Sequence, residues 1–267
     1  MIIEPSVSKK PSVVQQRSTG RATAKPVAVL KKRLYKSLVT RGFLGTLLLC
    51  VLEVLRLIGN LAPSRLRARA RQKPTDTDFD RQYGVDTSGF IPMSHLEVGS
   101  PNWVYGVQYQ PIGASVFKEL LAALDVAYEE FTFVDLGSGK GRAILLASAL
   151  PFKQIIGVEF AEELHRIAED NVRRYPDEAK KCKDIRLVCM DASEYGFPEG
   201  PFVLYMYNPF ERPVMARVVE NVVADFRKCP RRILVLYFAP RCSDLWDAVE
   251  GIRERAAKPQ YRIYEIV

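Results

Sequence analysis

The chain has 267 residues, 48 % of them apolar and 26 % charged, with a net charge of +8, enough to bury one sizeable core and unlike a disordered or fibrous composition. Five scattered cysteines without CxxC spacing and only two histidines, His95 and His165, argue against a disulfide framework, a zinc or histidine-rich metal site and a Ser/His/Asp triad. The basic character is local: residues 1–74 hold 16 Lys/Arg and 2 Asp/Glu, the rest 23 and 29, so the main domain is acidic and a nucleic-acid groove there is disfavoured.

In chain order, residues 1–30 are rich in Lys, Ser, Gln, Pro and Val with a single acid, Glu4. They read as a flexible basic arm, and their acid-poor composition also fits a transit peptide. Residues 31–74 read as a basic-flanked amphipathic helix, predicted from Lys31 to about residue 62. Within GFLGTLLLCVLEVLRLIGNLA, the residues Gly42, Thr46, Glu53, Arg56 and Asn60 recur at helical spacing, with Glu53 and Arg56 placed to pair. Lys31, Lys32, Arg33 and Lys36 precede the apolar stretch, and Arg65, Arg67, Arg69 and Arg71 follow it. Three readings stay open: packing on the domain or on a partner, lying on an acidic membrane surface through residues 31–73, or spanning a bilayer. Two central charges, each costing about 2.5 to 3.5 kcal/mol at the bilayer centre, count against spanning. The expectation is a cytoplasmic protein that this helix can associate with a membrane.

Residues 75–267 read as the main domain, with a lead-in over 75–124 capping the site and a cofactor-binding core over 125–267. The stretch 75–112 contains six aromatics and many turn formers but little periodicity, which predicts an ordered, irregular segment. A helix is predicted at 113–124. Strands follow at 131–136, 154–159, 185–190, 202–207, 232–238 and 261–266, with helices at about 141–150, 161–174, 211–227 and 242–250 between them. Such alternation predicts a doubly wound, Rossmann-like, mostly parallel α/β sheet with an N-terminal helical or irregular extension. A single strand is expected after the last helix, so the usual seventh strand is expected to be missing or supplied by the N-terminal region.

The stretch FTFVDLGSGKGR, residues 131–142, is a strand ending in Asp135, a turn Gly137-Ser138-Gly139-Lys140-Gly141 and a helix start, placed at the first crevice of such a sheet, where ligands bind. A P-loop needs GxxxxGK[ST], and Gly141 follows Lys140 here. A dinucleotide fingerprint needs a third glycine where Arg142 stands, and Asp135 would oppose a pyrophosphate. A cationic ligand removes that conflict. S-adenosyl-L-methionine carries a sulfonium and an ammonium, and the glycines let the chain pass close to it. Glu159, ending GVEF, is then placed to accept from ribose hydroxyls, and Asp191, ending LVCMDA, from the adenine amino group.

FVDLGSGKGR, IIGVEF, CMDAS and YNPF, in order over residues 131–210, resemble the successive motifs of the class I, seven-strand S-adenosylmethionine-dependent methyltransferases. Residues 75–267 resemble an uncharacterised bacterial-type group of them. The resemblance implies Tyr109, Asp135, Gly137, Ser138, Gly139, Gly141, Glu159, Phe160, Asp191 and Ala192 as cofactor contacts, and a reaction without metal. YNPF resembles the [DN]PP[YF] motif of methyltransferases acting on planar or amide nitrogen, with one proline fewer, which implies Asn208, Pro209 and Phe210 as catalytic residues. Equally, Asn208-Pro209-Phe210-Glu211 reads as a helix start with Asn as N-cap. FVDLGSGKG, GVE and the Asn-bearing fourth strand are also similar to the seven-strand histone lysine methyltransferases, and YQPIGASVF, residues 109–117, to the Y-x-P segment of several lysine methyltransferases. The implied function is N-methylation of a protein side chain, lysine favoured. The alternatives are a small-molecule or nucleic-acid methyltransferase and a non-catalytic, membrane-associated scaffold.

Phe90, Trp103, Tyr105 and Tyr109 are expected to form either a desolvated slot for a lysine or a plug over the cofactor. Lys140 and Arg142 read as solvated loop charges, His165 as a surface or capping residue, and His95 as lacking an evident partner. No role is assigned to FAPR, residues 238–241.

Overall fold

The structure, a computed structural model, describes residues 26–60 and 77–267. The flexible-arm reading therefore falls largely outside the described residues, as do Arg65, Arg67, Arg69 and Arg71 and the Arg56 side chain.

Seven strands form one sheet: β1 Thr132–Leu136, β2 Gln154–Glu159, β3 Ile185–Cys189, β4 Phe202–Tyr207, β5 Ile233–Phe238, β6 Ile252–Lys258 and β7 Tyr261–Ile266, in the order β3-β2-β1-β4-β5-β7-β6. β3 to β5 run parallel and β7 lies antiparallel to both of its neighbours. The central strands are continuous apolar runs because helices cover both faces. Phe133 faces one core cluster, formed with α3 Ala114–Ala122 and α4 Arg142–Ala147; Val134 and Leu136 face the other, formed with α6 Arg212–Lys228 and α7 Ser243–Asp247. Helix α5, Glu162–Arg174, packs against β3.

The expectation of a missing seventh strand is overturned: β6 directly follows α7. Its sequence IRERAAK carries no alternating apolar pattern because it is an edge strand, exposed along most of its length. It is joined to β7 by backbone pairing and by cross-strand ion pairs, Arg255 to Glu265 at 3.1 Å and Arg262 to Glu254 at 3.0 Å.

The N-terminal helix α1, Pro26–Asn60, is not one straight rod. Gly42 sits at φ 70° and ψ −178°, a conformation that glycine adopts without a Cβ penalty. Across this bend the Thr46 hydroxyl donates to Ser37 Oγ at 3.0 Å, although a straight helix would separate the two residues by ~13 Å. The first arm docks on the domain: Lys32 Nζ donates to Leu96 O at 2.9 Å, Lys36 Nζ to Gly106 O, and Tyr35 stacks on Trp103 at 6.1 Å. The second arm leaves its apolar residues uncovered, with Phe43 at 72 % and Leu44 at 80 % exposure and Leu47, Leu48, Val51, Leu52 and Val54 also exposed.

The irregular lead-in holds α2, Thr77–Tyr83, and two 3-10 turns, Met93–His95 and Pro101–Tyr105. It folds on itself through the bridge Ile91 to Tyr109 and joins the carboxyl end of β4 through the bridge Gly106 to Phe210.

Candidate active site

β1 hands the chain to α4 through three glycines with positive φ, Gly137 at 80°, Gly139 at 54° and Gly141 at 84°. Two of them have neighbours that leave no room for a side chain. A Cβ on Gly137 would lie 2.5 Å from Pro209 Cβ, and one on Gly139 would lie 2.3 Å from the Tyr109 ring. The glycine loop is thus clasped between the end of β4 and the aromatic ring of the lead-in, and a cavity opens beside it. Its wall carries Tyr109, Asp135, Gly137, Ser138, Gly139, Glu159, Phe160, Ala192, Asn208, Pro209 and Phe210. Gly141 and Asp191 are not on that wall. Gly141 instead caps α4 and faces Ala168, where a Cβ would come within 3.3 Å.

Asp191 holds the lead-in to the core. Oδ2 accepts from the Ser100 hydroxyl at 2.5 Å and Asn102 Nδ2 at 2.9 Å, and Oδ1 from the backbone N–H and hydroxyl of Ser193 at 2.9 and 2.7 Å. Burial works to raise its pKa, but the hydrogen bonds from Ser100, Ser193 and Asn102 bring it below the ordinary carboxylate value. With both oxygens already engaged, the adenine side of the cavity is walled by its neighbours Met190 and Ala192.

Asp135 is 2 % exposed, and burial, then the Glu159 charge, hold its pKa well above the ordinary range. Glu159 accepts from Gly139 N–H and Ala161 N–H, both at 2.8 Å, yet burial still pushes it up to about 7. The Tyr205 hydroxyl, beside Asp135 in strand register and on the cavity wall, is buried without a hydrogen-bond partner among the described residues. Two buried acids and an unsatisfied hydroxyl fit a ligand that brings positive charge and hydroxyl groups of its own. S-adenosylmethionine meets those requirements.

Lys140 and Arg142 are not solvated. They are 3 % and 2 % exposed and fasten the lead-in onto the loop. Lys140 pairs with Asp86 at 2.7 Å; Arg142 pairs with Asp80 at 3.2 Å, donates to Thr87 Oγ1 and lies over the Phe79 ring at 4.4 Å. Burial works to raise the pKa of Asp80, and hydrogen bonds from Thr87 and Ser88 more than offset it. Asn171 on α5 joins the same seam, donating to Asp86 O at 2.8 Å and Lys140 O at 2.9 Å. The Tyr109 hydroxyl donates to Thr87 O at 2.5 Å, which holds the ring over Gly139.

The helix-start reading of Asn208 is overturned. The cap of α6 is Glu211, with Pro213 in the first turn. Asn208 instead adopts φ 39°, its Oδ1 accepting from the Tyr237 hydroxyl at 3.2 Å. Ala239, past the end of β5, is also left-handed at φ 51° and lines the same cavity. Such backbone persists where surrounding structure imposes it; here Val107 N–H donates to Pro209 O at 2.9 Å and Glu211 N–H to Tyr105 O at 2.7 Å.

The four aromatics do not gather into a slot or a plug. Only Tyr109 lines the cofactor cavity; Phe90 is 59 % exposed, Trp103 lies under α1, and Tyr105 packs against the core on the α6 face. His165 faces Glu169 one turn along α5 at 3.6 Å. Sequence reasoning missed Tyr205, Tyr207 and Arg241, all on the cavity wall. For Tyr205 a signal existed, a polar-tipped ring in a fully buried strand; for Arg241 there was none beyond its place after a strand end.

Residues 93–203 match the family model described as histone methylation protein DOT1. No curated protein matches the chain. Among solved structures, a predicted N6-adenine-specific DNA methylase from Listeria monocytogenes is similar at 12 % identity and TM-score 0.45, over 59 % of this chain and 51 % of that one. TrmN from Thermus thermophilus is similar at 16 % identity and TM-score 0.44, over 58 % and 49 %. An RNA methyltransferase from Salinibacter ruber, in complex with S-adenosyl-L-homocysteine, is similar at 19 % identity and TM-score 0.38, over 58 % and 92 %. The chain spans about half the length of the first two.

Proposed function

We propose that this chain, a class I S-adenosylmethionine-dependent methyltransferase, methylates a nitrogen of a protein side chain, with lysine the favoured acceptor. The observation that carries the reading is the position of Asn208, which lines both the cofactor cavity and a second cavity beside it. The description of the matched family model, a histone methylation protein, supports a protein acceptor.

When bound, the cofactor supplies an electrophilic methyl group on a positively charged sulfur. The chain's part is to position the acceptor and exclude water. Asp135 and Glu159 offer carboxylates to the cofactor's positive charge and hydroxyls, and the glycine loop lets the backbone approach. The Tyr237 hydroxyl, itself accepting from Cys242 N–H at 3.3 Å, fixes the Asn208 amide. The remaining capacity of that amide carbonyl is available to accept from the target N–H, with Phe210 alongside.

α1 adds a membrane-facing element to this reading. The stretch Val27–Val54 is long and apolar enough to cross a bilayer by length and composition, its second arm is uncovered, and its first arm carries Lys31, Lys32, Arg33, Lys36 and Arg41. An acidic bilayer surface complements both properties.

The catalytic test is Asn208→Ala. S-adenosylhomocysteine affinity, measured by calorimetry, is expected to stay within a few-fold of wild type, while methyl transfer falls by about 10²-fold, the scale of a lost transition-state hydrogen bond. Undiminished turnover would remove Asn208 from the mechanism.

A further inference from the structure

We infer that the second cavity is a cationic acceptor vestibule completed by α1, which selects a protein segment bearing an acidic side chain next to the target amine. The inference rests on the protein-amine reading above and names the kind of sequence that site takes.

The cavity adjoins the methyl-transfer point, sharing Asn208, Phe210, Gln108 and Arg241 with the cofactor cavity. Its other walls come from α1, through Lys36, Thr40 and Arg41, and from the start of α6, through Glu211 and Arg212. Four of these side chains are cations and one is an acid. Glu211 is already engaged by Lys36 at 3.6 Å, and Arg212 is paired outward with Asp244 at 2.6 Å. No ion pair joins Arg41 or Arg241 to an acid among the described residues, so these two cations are offered to whatever enters.

The vestibule already acts this way on its own lysine. Burial, and secondarily the Arg41 charge, lower the pKa of Lys36 even though Glu211 works to raise it. An incoming lysine meets the same environment, in which its protonated form is disfavoured and its neutral, nucleophilic form favoured. That helps the chemistry and hinders the encounter, since a basic segment is repelled by Arg41 and Arg241. A carboxylate near the target amine restores the attraction by pairing with Arg41 or Arg241, and once it is so paired its pull on the amine's proton is offset by those two cations. Because α1 contributes half of the cations, the N-terminal helix is part of the acceptor site as well as an anchor.

The test uses the full chain saturated with S-adenosylhomocysteine and three fluorescent peptides, each with one central lysine flanked by Glu, by Ala or by Arg. Anisotropy titrations are expected to show the Glu-flanked peptide binding about ten-fold more tightly than the Arg-flanked one, with the contrast shrinking as salt is raised. The double variant Arg41→Glu, Arg241→Glu should abolish or invert the preference, and Arg41→Lys, Arg241→Lys should restore it, with thermal melts confirming that both fold. Equal affinities, a preference for the Arg-flanked peptide, or no binding would overturn the vestibule. A second arm substitutes labelled S-adenosylmethionine. If the Glu-flanked peptide binds with the expected preference but takes up no label, the vestibule stands and lysine is lost as acceptor. Label entering all three peptides equally would keep lysine and overturn the vestibule.

Discussion

At the scale of single residues, the site is governed by buried acids, Asp135 and Glu159. Burial pushes Glu159 up to about 7 from an ordinary 4.5. The folded state therefore keeps this proton longer than the unfolded chain, so the group's effect on stability becomes less favourable as pH rises from about 4.5 to about 7. A cationic ligand draws the proton off. Cofactor affinity is accordingly expected to rise over the same window and level off above it, with protons released on binding at the acid end; calorimetry in two buffers of different ionisation enthalpy reads both. Asp135, also shifted upward, adds to the effect, and pH-independent affinity would contradict the account. Gly139 makes a sharper geometric demand, because a side chain there strikes the Tyr109 ring. Gly139→Ala should cost about 1 to 3 kcal/mol in a denaturant melt, the scale of a strained left-handed residue, and displace Tyr109 from the cofactor cavity. The glycines and Asp135 were legible in the sequence because their chemistry is local to one loop, and Glu159 because it closes the next strand pattern. The true partners of Asp191, Lys140 and Arg142 were not, since Ser100, Asp86 and Asp80 lie far away along the chain.

Among the elements, the lead-in and the sheet are joined by an ion-pair seam. Arg142→Met leaves the half-buried Asp80 without its guanidinium, and the expected loss is about 1 to 3 kcal/mol, the cost of taking one partner from a partly buried polar group. Limited proteolysis should then cut within residues 77–112 before the core, whereas a variant as resistant as wild type would refute the seam's role. Helix α1 makes the complementary point. Gly42→Ala places a Cβ with nothing within 4 Å on a residue at φ 70° and ψ −178°, so its cost is conformational, about 1 to 3 kcal/mol, and it favours straightening the bend. Spin labels on the two arms should move apart. From sequence, Gly42 was one small residue among several on a helical stripe. β6 stayed hidden for a related reason: an edge strand needs no alternating apolar face, so IRERAAK carries charges where a central strand would carry valines. The parallel strands, buried on both faces, announced themselves as apolar runs.

For the whole molecule, the basic first arm of α1 and its uncovered apolar second arm are the features on which the proposed contact with an acidic membrane surface rests. Flotation of the full chain is expected with phosphatidylcholine vesicles containing phosphatidylglycerol, and to weaken when the phosphatidylglycerol is left out or when Leu44, Leu47 and Leu48 are changed to Ser; no flotation, or flotation that ignores both changes, would detach the uncovered arm of α1 from any lipid role. The mostly parallel, doubly wound sheet followed from the alternation of strand and helix patterns, and the glycine loop marked where a cavity opens at its strand ends. The second cavity did not follow, because Lys36, Gln108 and Arg241 meet Asn208 only through the fold. The central claim, methyl transfer to a protein nitrogen, is tested most directly by incubating the full chain with methyl-labelled S-adenosylmethionine and source-cell lysate, then separating the product by protease, nuclease and organic extraction. The account predicts protease-sensitive label that acid hydrolysis releases as methyllysine; label that survives protease and is lost to nuclease or solvent would contradict it.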